Sequence, residues 1–157
     1  MIGADFLVAR ERTSADNLLS LPEVRAALDR IETGGEAEGM VRMLELLSHA
    51  RGYVRRTRLE RKLELFAAEE PFLSMDEAER ARLIHEQSLI VQFAPDRAKE
   101  SLSRVLDTDA KRAHALDLVM RIAGPEETMH PEALALYREF ERMLRPARPL
   151  ADSPAAA

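Results

Sequence analysis

The feature that most limits how this chain can fold is its punctuation. Apolar residues recur three and four positions apart, the period of one helical face, and each run is cut by glycine or proline before it grows long. The cuts fall at Gly34–Gly35, Gly52, Pro71, Pro95, Gly124 and Pro131. Segments of that length can bury their stripes only against one another, which predicts an all-α bundle of short helices in one domain. Aromatic residues are only 4% of the 157 and tryptophan is absent. The core must then be built of Leu, Ala, Val, Ile and Met, a palette that favours helix over sheet.

About seven helices are expected. Ser20 can cap the first and Pro22 suits its opening turn, with Leu21, Val24, Leu28 and Ile31 on one face. The second covers about residues 36–51, with Met40, Met43, Leu44, Leu47 and Ala50 as its stripe. "TRLE", from Thr57 to Glu60, has the spacing of a capping box and opens a helix burying Leu59, Leu63 and Phe66. A second box, Ser74 to Glu77, opens a helix carrying Leu83, Ile84, Leu89, Ile90 and Phe93. Its "SLIVQFA" run is apolar nearly all round, which predicts the most buried segment of the chain; a strand over residues 87–94 competes there.

Pro95 then begins a short helix with Ala98, Leu102, Val105 and Leu106 inward. Asp107 or Thr108 can cap the next, whose stripe is Ala113, Leu116, Val119, Met120 and Ala123. Pro131 starts the last, with Leu136, Tyr137, Phe140 and Leu144 on its inner side. Residues 1–19 read as an N-terminal arm, 20–144 as the helical domain, and the proline- and alanine-rich 145–157 as a disordered tail.

The net charge of −5 suits solubility and argues against a globally nucleic-acid-binding surface. The absence of cysteine removes disulfides, thiolate metal sites and cysteine nucleophiles, and fits an expected cytoplasmic location. No run reads as a signal peptide or a membrane span. The chain has no G-x-S-x-G elbow, no H-E-x-x-H pair and no phosphate-cradling glycine loop, and its four histidines are scattered. A non-enzymatic role is therefore expected.

Two helix–loop–helix turns share a layout. Gly52 and Gly124 lie 72 positions apart, as do Glu60 and Glu132, so each glycine precedes a glutamate expected in the opening turn of the next helix. Helix punctuation alone would produce that match; a distant internal duplication would also. The loops differ in charge. The second gathers Glu126, Glu127, His130 and Glu132, which offer oxygen and imidazole ligands for a weak divalent cation; in the simpler reading Glu132 complements the helix dipole and the others are solvated. The first crowds Arg51, Arg55, Arg56, Arg58, Arg61 and Lys62 into one turn beside Tyr53, with Glu60 the only acid. Cations at a helix N-terminus oppose its dipole, which points to an anionic partner. In the alternative reading they are solvated or pair with the acids of "AAEE" and "DEAER".

The segments "LERKLEL" and "HEQSLIVQFAPDRAKESLSRVL", within residues 21–144, resemble the C-terminal helical segment of bacterial polyhydroxyalkanoate-synthase-like α/β-hydrolases of unknown function. The layout is also similar to the all-helical TerB domain of tellurite-resistance proteins, whose two halves each carry an A-D-G loop followed by a glutamate. Glu60 and Glu132 match that motif, while Arg51 and Ala123 stand where its acids would be. The resemblance implies a TerB-like bundle of two helix–loop–helix halves. It also implies an accessory module acting with a synthase or hydrolase protein, since the hydrolase domain itself is missing.

Two functions are thus expected in competition. One is an interaction module binding a protein partner through Arg51–Lys62; the other is a TerB-like metal- or stress-responsive domain. Homodimerisation through methionine-containing helix faces is a third reading.

Overall fold

The computed structural model describes residues 18–52 and 55–145, and every regular element among them is helical. Eight α-helices have both ends among the described residues: α1 (Pro22–Asp29), α2 (Glu36–Ala50), α3 (Arg56–Leu65), α4 (Glu77–Phe93), α5 (Pro95–Glu100), α6 (Leu102–Val105), α7 (Asp109–Ala123) and α8 (Pro131–Leu144). Single 3₁₀ turns lie at Phe72–Ser74 and Glu126–Thr128. Residues 87–93 are helical, so the strand reading fails there. The seven expected helices become eight because the segment from Pro95 divides at Ser101, a buried residue whose hydroxyl donates to the Ala98 carbonyl at 3.0 Å. Most of the proposed N-terminal arm and almost all of the proposed tail lie outside the described residues.

The centre of the bundle is α2, with α4, α5, α6, α7 and α8 packed around it. Residues 39–47 are buried without interruption. The most buried run was expected in "SLIVQFA", but there only Ile90 and Val91 are buried and Gln92 is exposed. A central helix has no solvent face, whereas α4 lies on the outside and keeps one. Gly39 explains how α2 is approached so closely: a Cβ at that position would sit 2.7 Å from both Cγ and Cδ2 of Leu106.

Being central, α2 also buries polar residues. Arg42 is fully buried, with Nε donating to Gln87 Oε1 at 2.8 Å and Nη1 donating to the Ile31 carbonyl at 2.7 Å and Ser101 Oγ at 2.6 Å. Burial pulls its guanidinium down to about 10, still charged at neutral pH. One cation thus ties the residues after α1 to α4 and to the α5–α6 break. Tyr137 makes a second tie, its hydroxyl donating to the Leu116 carbonyl at 2.9 Å across α7 and α8.

Several local expectations are corrected. Thr57 does not cap α3: the N-cap lies two residues earlier, at Arg55, and makes no side-chain capping bond. Glu60 therefore falls in the second turn and pairs with Arg56, Nε to Oε1 3.7 Å, rather than opening the helix. Ser74 does not cap α4; Asp76 does, accepting from the Glu79 N–H at 2.8 Å, while Ser74 donates to Glu70. Leu21, not Ser20, is the N-cap of α1 and is itself exposed. On α7 the buried face is Ala115, Leu116, Leu118, Val119 and Ile122, and Ala113 is exposed. Thr108 does cap α7, accepting from the Lys111 N–H at 3.1 Å.

Candidate functional site

The two helix–loop–helix turns meet. The C-terminal half of α2 presents Leu44, Leu47, Ser48 and Arg51 at i, i+3, i+4 and i+7, one helical face. The start of α3 presents Arg55, Arg58, Leu59 and Lys62 with the same logic. From the far end of the sequence come Ala123, which closes α7, then Thr128, Met129 and His130, then Ala133 of α8. Together these line a half-open pocket of about 80 Å³. Its floor is apolar, from Leu44, Leu47, Leu59 and Ala133.

Backbone geometry makes the meeting possible. Gly52 and Gly124 have φ of +93° and +99°, the left-handed region that L side chains rarely adopt. Each glycine turns the chain out of a helix that lines the pocket, α2 in one case and α7 in the other. The matched glycines thus do matched work, while Glu60 and Glu132 do not occupy matched helical positions and neither lines the pocket.

The electrostatics are one-sided. Among the described residues four cationic side chains, Arg51, Arg55, Arg58 and Lys62, line the pocket and no carboxylate does. Burial, then the charges of Arg58 and Arg51, hold the Lys62 ammonium below the usual lysine range. Among the described residues neither Arg58 nor Lys62 has an acidic partner. Three of the acids that could have paired with them are engaged elsewhere: Glu69 pairs with Arg121 through bonds of 2.8 and 2.9 Å, Glu70 accepts from Ser74, and Asp76 caps α4. The cationic turn of α3 also lacks any acid in its first turn, so its amide dipoles add to the positive field.

Not every predicted cation joins. Arg56 turns away to His85 Nδ1 and Glu60, and Arg61 is exposed outside the pocket. Tyr53 lies outside the described residues. The acidic loop is likewise divided. Glu126 pairs with Arg138 at 2.5 Å, Glu127 and Glu132 are exposed, and His130 Nδ1 accepts from the Glu132 N–H at 3.3 Å, capping α8. Among the described residues no three His, Asp or Glu side chains stand together as a metal-ligand group. The methionines that suggested a self-association face are largely drawn inward, Met40 and Met43 completely.

Sequence reasoning missed the pocket's far wall. Thr128 and Met129 carry no motif, and only their position between Gly124 and Pro131 hinted at a shared site. Glu45 was also missed. It is fully buried, neither carboxylate oxygen has a partner, and burial pushes it up to about 7 against a smaller opposing pull from Arg56.

No protein-family model, curated protein or solved structure gives a significant match to the chain. The fold itself defines an all-helical domain, and among its described residues no helix is long and apolar enough to cross a membrane.

Proposed function

We propose that this chain is a non-catalytic interaction module that receives an acidic segment of a protein partner in the pocket between α2, α3 and α8. One observation carries the reading: among the described residues, Arg58 and Lys62 line a pocket with an apolar floor and meet no carboxylate there. Keeping positive charge at the start of α3 costs some tenths of a kcal/mol per cation at the helix dipole, and an arriving anion offsets that cost. The residue classes match an interface anchor, with Arg at the rim and aliphatic carbon beneath. The resemblance to segments of synthase-like hydrolases makes such a protein the first partner to examine.

The test is selection of a random peptide library on the wild-type chain and on the double variant Arg58→Glu, Lys62→Glu. The wild type should enrich acidic sequences that carry an aliphatic residue, and the variant should lose that enrichment. Arg58 is the third residue of α3, where Glu suits the helix dipole, whereas Lys62 lies in the last turn, where Glu opposes it, so the melting temperature of the variant is measured beside that of the wild type. Equal enrichment by both chains would remove the pocket from the account.

A further inference from the structure

The pocket sets limits on what can enter it. Its volume of about 80 Å³ is far below the roughly 300–1,000 Å³ of sites that enclose whole small molecules. At about 30 Å³ per water it corresponds to about three waters, room to seat one branched aliphatic side chain. Within that space the apolar and cationic linings are adjacent on the same helices. Leu59 lies next to Arg58 in sequence and within one turn of both Arg55 and Lys62; on α2, Leu47 precedes Arg51 by four positions. A ligand that satisfies both linings must carry its carboxylate within a few ångströms of its hydrocarbon.

An internal acidic residue meets this poorly. In an extended segment neighbouring side chains point to opposite faces, so an aliphatic residue and the adjacent Asp or Glu diverge. A C-terminal residue carries both groups on one Cα. Arg58 enters the lining from the first turn of α3, and a helix N-terminus favours a carboxylate.

We infer that the pocket captures the free C-terminus of a partner protein, with a terminal aliphatic side chain on the Leu44–Leu47–Leu59 floor and its α-carboxylate against Arg58 and Lys62. This rests on the interaction-module reading and names the partner's anchor.

The experiment is calorimetric titration of the full chain with a synthetic acidic hexapeptide ending in leucine, as free acid and as C-terminal amide. 4-Methylpentanoate, the same hydrocarbon with the same charge, is the third ligand. The free acid should bind, amidation should weaken it by about tenfold or more, and the short acid should bind far more weakly than the peptide. Arg58→Ala should weaken the free acid and leave the residual affinity of the amide nearly unchanged. Equal binding of acid and amide would overturn the terminal anchor while leaving an acidic partner in place. The short acid binding as tightly as the peptide would make this a small-acid site and overturn the inference. No binding by either peptide would overturn the inference and the interaction-module reading together.

Discussion

Glu45 and Arg42 sit three residues apart on the same central helix, both fully buried, yet they are handled in opposite ways. Arg42 has acceptors for Nε and Nη1 and lacks one only at Nη2, whereas neither Glu45 oxygen has a partner, so the buried Glu45 carboxylate favours the protonated form. The sign of the pH effect follows. The folded-state value, about 7, lies above the usual 4.5, so the native chain holds a proton that the unfolded chain has released between those values. Stability should then fall as pH rises from about 4.5 to 7 and level off above. Glu45→Gln removes this loss and should raise unfolding free energy at pH 8 by on the order of 2–3 kcal/mol, with little change at pH 4.5. Urea denaturation at the two pH values checks it; an equal effect at both would show that proton linkage is not the cause. Neither residue could be placed in the core from sequence, because the 3.6-residue stripe assigns an Arg and a Glu to the solvent side, and only a helix surrounded on all faces reverses that.

At the scale of elements, helix positions were legible and their ends were not. Apolar period and proline placed most of the helices correctly, since those signals are properties of the segment alone. Caps were misread at Ser20, Thr57 and Ser74 because several polar residues near each start have suitable spacing, and tertiary contacts choose among them. The break at Ser101 was invisible for the same reason: it depends on where Arg42 reaches. Gly39 shows a glycine serving packing rather than chain reversal. Gly39→Ala gains about 1 kcal/mol of helix propensity but drives a methyl group into Leu106. Overpacking of that kind costs about 1–3 kcal/mol, so the variant should be less stable by up to about 2 kcal/mol. A higher melting temperature would show that α6 yields freely.

For the whole molecule, the result that matters is convergence. Two loops far apart in sequence, one cationic and one acidic in composition, close a single pocket. The acidic loop contributes Thr128, Met129 and His130 to it and keeps its glutamates out of the lining. The candidate site was half legible: an unusual run of arginines marked α3, but the opposite wall could be found only once α8 was docked on α2. The expected metal centre drew on the same loop, and there Glu126 is committed to Arg138 and His130 to the start of α8.

The most direct test of the central claim is a two-dimensional NMR titration of the full chain with the acidic leucine-terminated hexapeptide. The account predicts that backbone amides of Ser48 and Leu59 and those of Thr128, His130 and Ala133 shift along one saturation curve, and that added salt weakens the binding without changing which amides respond. Shifts confined to the arginine-rich side, with the Thr128–Ala133 segment silent, would contradict it.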